Sequence, residues 1–259
     1  MAKETKIRTK KSDPQNVARA EVAKPAQVTV VGGPELIVTK ATDKGVSCVV
    51  RNVRLTWVFV KDFREDKQDW RKGTKSVTLL IPKKGAQAFQ RQLADAVKQT
   101  IALNKKIVEI EAKKEAFAAA LAVNAEGSLL KDGDESRDAG GNPRAELAGC
   151  LTWQVKKSAF RDAKTDAFAE TYPVTFHDAA GRPLTPEFID IDREFYSGVY
   201  ADVAFTLATY STNGNEGVTA YLNGLRKNRD GERIGNFDPF AGVAPAGASD
   251  NGAGEVDFL

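Results

Sequence analysis

Three carboxylates stand close together in this chain: Asp190, Asp192 and Glu194. At a spacing of two, such side chains share one face of a strand, and hard cations such as Mg²⁺ accept oxygens presented that way. A Mg²⁺-dependent nuclease is therefore one reading. A polar connection before Tyr196-Ser197-Gly198 is the commoner role for such a stretch. His177 is the single histidine, it adjoins the turn sequence Asp178-Ala179-Ala180-Gly181, and nothing near it resembles a nucleophile elbow. Neither a GxGxxG fingerprint nor a Walker A sequence is present. No enzymatic activity, cofactor or metal is expected.

Another chemistry is better supplied. Binding a single-stranded nucleic acid needs cations for phosphates and aromatic faces on which bases stack, each stack contributing about 1–3 kcal/mol. Basic and aromatic residues interleave here. Trp70, Arg71 and Lys72 precede Lys75; Trp153, Lys156, Lys157, Phe160 and Arg161 come together; Tyr196, Tyr200, Tyr210 and Tyr221 are followed by Arg226, Lys227 and Arg229. The expected nucleic-acid contacts are Lys72, Lys75, Trp153, Lys156, Lys157, Arg161, Tyr196, Tyr200, Tyr210, Tyr221, Arg226 and Lys227. Within that set Trp153 shares strand parity with Leu151 and Val155, the core side, whereas Lys156 lies with Thr152 and Gln154.

Charge distribution supports the same partner. The chain carries a net charge of +3. Residues 234–259 hold four acids (Asp238, Asp250, Glu255, Asp257) and no base, so residues 1–233 carry +7, enough to favour a polyanion. The last segment is otherwise mostly Gly, Ala, Pro, Ser and Asn, with Ile234, Phe237, Phe240 and Val243 and an apolar tip, Val256, Phe258 and Leu259. It is expected to be a disordered acidic tail whose Asp250, Glu255, Asp257 and Phe258 engage a partner protein. Residues 1–26 form a basic arm, also expected to be disordered. Two cysteines, Cys48 and Cys150, lie far apart with no CxxC pattern, which fits a reducing compartment. No apolar run approaches the roughly 20 residues of a membrane span, and the first residues lack the apolar stretch of a signal peptide.

The elements that must position these residues are mostly strands. Residues 46–61 are rich in β-branched and aromatic side chains and contain no Gly or Pro. Val49, Val53, Leu55, Trp57 and Phe59 share one parity, which puts Trp57 and Phe59 in the core. Residues 75–81 are a second strand. Residues 85–124 change period: Phe89, Leu93, Val97 and Ile101 recur every fourth position, the apolar stripe of one long helix or two shorter ones packed on a sheet. Residues 126–149 read as a loop. Strands occupy 150–157, 172–176 and 199–210, and 217–225 returns from the turn Thr212-Asn213-Gly214-Asn215 as a hairpin. On the 199–210 strand, Val199, Val203, Phe205 and Leu207 oppose Tyr200, Asp202, Thr206 and Tyr210. The predicted fold class is mainly β with a helical insertion, an OB-fold-like, partly open antiparallel barrel at residues 27–233.

Several runs carry a resemblance to a known family. They are Arg-Leu-Thr-Trp at 54–57, Val-Thr-Leu-Leu-Ile-Pro at 77–82, Trp-Gln-Val-Lys-Lys-Ser at 153–158 and Pro-Val-Thr-Phe-His-Asp-Ala-Ala-Gly-Arg-Pro at 173–183. Tyr-Ser-Gly-Val-Tyr at 196–200, Leu-Asn-Gly-Leu-Arg-Lys-Asn-Arg-Asp-Gly at 222–231 and Glu-Val-Asp-Phe at 255–258 complete them. Together they resemble the single-stranded-DNA-binding replication proteins of tailed bacteriophages, from about residue 46 to 233 and again at the tail tip. The resemblance implies an OB fold and sequence-tolerant ssDNA binding in replication, recombination or repair. It also implies a tail that contacts replication proteins such as a DNA polymerase or helicase, and the cytoplasm of an infected bacterium as location. The tail here is less acidic than is usual in that family, and the basic arm falls outside the resemblance. A homodimer stays open. A basic scaffold protein is the third reading beside the binding protein and the nuclease.

Overall fold

The computed structural model describes residues 33–104, 106–170, 172–212 and 215–235. The basic arm and the acidic tail, with Asp250, Glu255, Asp257 and Phe258, lie outside the described residues. In chain order the elements are β1 (Glu35–Thr42), β2 (Gly45–Glu65), β3 (Lys72–Pro82), α1 (Ala86–Leu103), α2 (Ile110–Leu121) and β4 (Lys131–Asp132). Next come β5 (Cys150–Arg161), β6 (Phe168–Ala169), β7 (Thr175–His177), β8 (Pro183–Leu184), α3 (Ile191–Glu194), β9 (Tyr200–Thr212) and β10 (Asn215–Arg229).

Five strands close a ring. The long β2 pairs through its first half with β9 and through its second half with β3. β3 pairs with β5, β9 with β10, and β10 returns to β5. Every pairing is antiparallel except the last, which is parallel and has a single register pair, Tyr221 with Lys156. The order β2-β3-β5-β10-β9 is that of an OB-fold-like barrel, and the β5–β10 seam is where it stays partly open. β1 adds to the outer edge of β2, while β7 and β8 extend from the end of β10.

β2 can serve two neighbours because it bends. Asn52 (φ 50°) and Trp57 (φ 47°) both take left-handed backbone angles. Register slips at these positions, between Val50 and Val53 against β9 and between Thr56 and Phe59 against β3. Each bulge inserts a residue and swaps the faces of the residues beyond it. Val46, Cys48 and Val50 are buried, then Val53 and Leu55, then Val60. Strict alternation therefore fails, and with it the expected core positions of Trp57 and Phe59: Trp57 is half-buried and Phe59 is 39% exposed.

The helical insertion is two helices, separated by the chain around Asn104. Phe89, Leu93, Val97 and Ile101 of α1 are all buried, as their spacing requires. Phe89 meets Trp153 edge-on at 6.3 Å, and Trp153 meets Phe205 of β9 at 4.8 Å. These three rings tie the helix, the middle of β5 and β9 into one core. Burial of this aromatic core is the chief stabilising term, since such edge-to-face pairs add only about 0.5–1.5 kcal/mol beyond their area. The connection at 126–149, read as a loop, contains β4 and two short 3-10 turns folded against β5. The strand expected at 172–176 shortens to β7.

The carboxylates Asp190, Asp192 and Glu194 are not on a strand. Asp190 caps the short turn α3 by accepting the Asp192 backbone N–H, and Glu194 pairs with Lys227 at 3.0 Å. Among the described residues no group of three metal-ligating side chains converges. Of the three, Asp190 caps one segment and Glu194 pins the next.

Candidate nucleic-acid interface

Residues opposite one another in a sheet point to the same face, so the register assigns neighbours directly. One row crosses four strands: Phe59 of β2 opposite Ser76 of β3, Ser76 opposite Lys156 of β5, and Lys156 opposite Tyr221 of β10. Tyr221 is 43% exposed and Lys156 is exposed. Neither makes a side-chain hydrogen bond or ion pair among the described residues.

A track runs perpendicular to this row along β3 and β5. Thr152, Gln154, Lys156, Ser158 and Phe160 share a face of β5, and Thr78, Ser76, Thr74 and Lys72 face the same way on β3, with Lys72 opposite Phe160. Phe160 is 64% exposed. Thr152, Ser76 and Thr78 are buried on this face, so the exposed part of the track, Gln154 to Phe160, is about 20 Å long at a strand's rise. Among the described residues neither Lys156 nor Lys72 makes a side-chain ion pair, and they stand between the rings of Tyr221, Phe160 and Phe59, the last with the Arg64 guanidinium 4.0 Å from its centre. A polyanion with stackable bases is what such a surface suits.

The same register divides the remaining candidates. Lys75, Lys157 and Arg161 point to the opposite face of the β3–β5 ribbon. Lys75 is bound to Glu170 at 2.9 Å, with both side chains nearly buried, and lies 4.6 Å from the Phe63 ring. Arg161 is held by Glu65 and Asp166 and lies over Phe168. Lys157 reaches the ring of Tyr172 at 5.9 Å. Trp153, counted among the contacts from sequence, is 1% exposed in the core and leaves the interface. Its parity with Leu151 and Val155 had pointed there.

At the far end of β9–β10 the expected contacts have partners within the chain. Asp202, buried at 5%, accepts the Asn52 N–H at 2.9 Å, the Asn228 amide at 2.5 Å and the Arg226 guanidinium. Burial pushes its carboxyl upward, but the hydrogen bonds from Asn228, Asn52 and Arg226 prevail and hold it below the usual range. Lys227 bridges Glu194 and Asp230. Burial favours its neutral form, yet these two carboxylates keep its pKa above the ordinary lysine value. The Tyr196 hydroxyl lies 3.0 Å from both Asp230 Oδ1 and the Gly231 carbonyl, with the Arg233 guanidinium 4.2 Å from its ring. Arg229 covers Tyr200 at 3.4 Å. At the opposite, hairpin end of the pair, Tyr210 lies across Gly217, where any Cβ would come within 2.6 Å of its hydroxyl. The glycine leaves room for the ring.

Trp57, Phe59 and Phe160 were not among the residues expected here. Phe160 was legible, because it shares parity with Lys156 on an unbroken strand. For Trp57 and Phe59 the only signal was Asn52, a residue that tolerates left-handed angles, placed mid-strand.

A five-stranded OB-fold-like barrel with a basic, aromatic outer track defines the class of single-stranded nucleic-acid-binding proteins. Within that class the chain belongs to the family of the Enterobacter phage Enc34 ssDNA-binding protein, whose model matches residues 46–242. Among solved structures it is similar to the single-stranded DNA-binding protein from bacteriophage Enc34, at 19% identity and a TM-score of 0.50 over 83% of this chain and 99% of that one. It is likewise similar to the same phage protein in complex with ssDNA, at 20% identity and a TM-score of 0.51 over 78% and 99%. At this identity the likeness concerns the fold. No curated protein matches the chain. No helix among the described residues is long and apolar enough to cross a membrane.

Proposed function

We propose that the chain binds single-stranded DNA along the β3–β5 track, with Lys156 and Lys72 at phosphates and Tyr221, Phe59 and Phe160 at bases. The observation that carries this is the row Phe59–Ser76–Lys156–Tyr221, which sets a lysine with no ion-pair partner among the described residues between exposed rings at the β5–β10 seam. Binding is non-enzymatic and sequence-tolerant. It protects single strands during phage replication, recombination or repair in the bacterial cytoplasm. Arg226 and Lys227 support the fold there, and their reach to DNA is secondary.

The experiment is a titration of labelled oligonucleotide across a salt series with ssDNA, dsDNA and ssRNA of equal length, Mg²⁺ present throughout. Tight retention of intact ssDNA, weakening steeply with salt, supports the reading. Cleavage, flat salt dependence or tighter duplex binding overturns it.

The tail completes the proposal. Its acids, including Asp250, Glu255 and Asp257, compete with DNA for the basic track at high effective concentration, and Phe258 anchors a replication partner such as a polymerase or helicase once DNA displaces it. Removing residues 237–259 should tighten ssDNA binding at low salt, with the difference vanishing at high salt. Weaker binding after truncation would refute the competition.

A further inference from the structure

Beside the track, between Trp57 and the start of β5, lies a cavity of about 400 Å³. Its walls include Trp57, Thr78, Gln154 and Glu135. It is continuous with the proposed DNA path: Gln154 stands two residues before Lys156 on the same face, about 7 Å away. We propose that this cavity receives one base of the bound strand and prefers guanine, so that an otherwise sequence-tolerant surface has one reading position. The inference rests on the ssDNA reading above.

Four observations carry it. Trp57 holds a left-handed backbone angle that glycine adopts freely and tryptophan does not, so the position is strained. Ser197 Oγ accepts the Trp57 backbone N–H at 3.0 Å and stabilises the bulge. The result turns a large ring out of the core and onto the cavity wall. The Arg144 guanidinium lies 5.1 Å from the ring centre.

Second, the polar lining suits a base and not a phosphate. Asp132 and Glu135 are both present, and the lysine of the lining, Lys131, donates to the Ala125 carbonyl at 2.8 Å. Asp132 is already bound by Lys83 at 2.5 Å. Glu135 Oε2 accepts from Asn124 Nδ2 at 2.6 Å, which leaves Oε1 without a partner among the described residues.

Third, the Thr78 hydroxyl is buried, the residue being 2% exposed, and has no hydrogen-bond partner among the described residues. Buried polar atoms are rarely left in that state. Fourth, the exposed Gln154 amide has no partner among the described residues. Guanine answers these groups together. Its N1–H and N2–H₂ are adjacent donors for a carboxylate, and its O6 and N7 are acceptors for a hydroxyl or amide donor. Thymine and cytosine offer a carboxylate no such adjacent pair of donors, and adenine offers only its amino group.

The test measures full-length protein binding to an oligo-dT strand, to the same strand with one central dG, and to matched strands with dA, dC or deoxyinosine there. The dG strand should bind about 5- to 10-fold tighter than dT, and deoxyinosine, which lacks the N2 amino group, should lose most of that gain. Glu135→Gln should abolish the dG-to-dT ratio while dT binding persists. Trp57→Ala should weaken all strands. Normal dT binding with no dG preference, or a preference that survives in Glu135→Gln, overturns the guanine pocket and leaves the ssDNA reading standing. Failure to bind any strand overturns the ssDNA reading itself.

Discussion

Where β10 meets β5, Lys156 and Tyr221 stand in register with no side-chain polar partner among the described residues. Where β10 ends, Arg226, Lys227, Tyr196 and Tyr200 are all engaged by neighbours. The two regions are built from the same residue types and both lie along β10. They differ in what else is nearby. Asp202, Glu194 and Asp230 consume the positive charge at one end, and among the described residues no carboxylate pairs with Lys156 at the other. A basic-aromatic sequence therefore marks a candidate, and the absence of an internal partner selects it.

The comparison can be broken by variants, the largest effect first. Trp153→Ala should lower stability by about 3–5 kcal/mol, because it empties the contact between Phe89 and Phe205. Denaturant unfolding measures this, and unchanged stability would return Trp153 to the surface. Tyr221→Ala should weaken ssDNA binding by about 1–3 kcal/mol while leaving the unfolding midpoint in place. Tyr196→Phe should do the reverse, lowering the midpoint and sparing affinity. Equal binding losses in the two would erase the distinction between the regions.

Asp202→Asn should cost about 1–2 kcal/mol of stability at neutral pH by removing a buried charged acceptor. The pH dependence has a definite sign. The folded carboxyl titrates below the unfolded value of about 3.9, so its contribution is fully present above that pH and disappears as pH falls through the folded value. Thermal unfolding between neutral pH and about pH 3 should show a shallower acid decline in the variant than in the parent. The smallest effect belongs to a single phosphate contact. Lys156→Ala should reduce the log–log salt slope of ssDNA binding by about 0.7, whereas Lys75→Ala should leave the slope unchanged and lower stability.

The amino-acid sequence by itself determined the mainly β character, the helical insertion and much of the strand order. Local signals suffice for these: β-branched runs, the four-residue stripe of Phe89, Leu93, Val97 and Ile101, and the Asn213-Gly214 sequence between the strands all act within a few residues of themselves. On unbroken strands parity also read true, as Val203, Phe205 and Leu207 show in the core. Tertiary structure alone decided two things. Bulges at Asn52 and Trp57 exchanged the faces of β2, because serving both β9 and β3 requires a bend that alternation cannot express. Long-range partners decided which cations stay available: Glu170 meets Lys75 across 95 residues of chain, and Asp202 meets Arg226 across a hairpin. Electrostatic pairing depends on distance in space, and only the folded barrel fixes that distance.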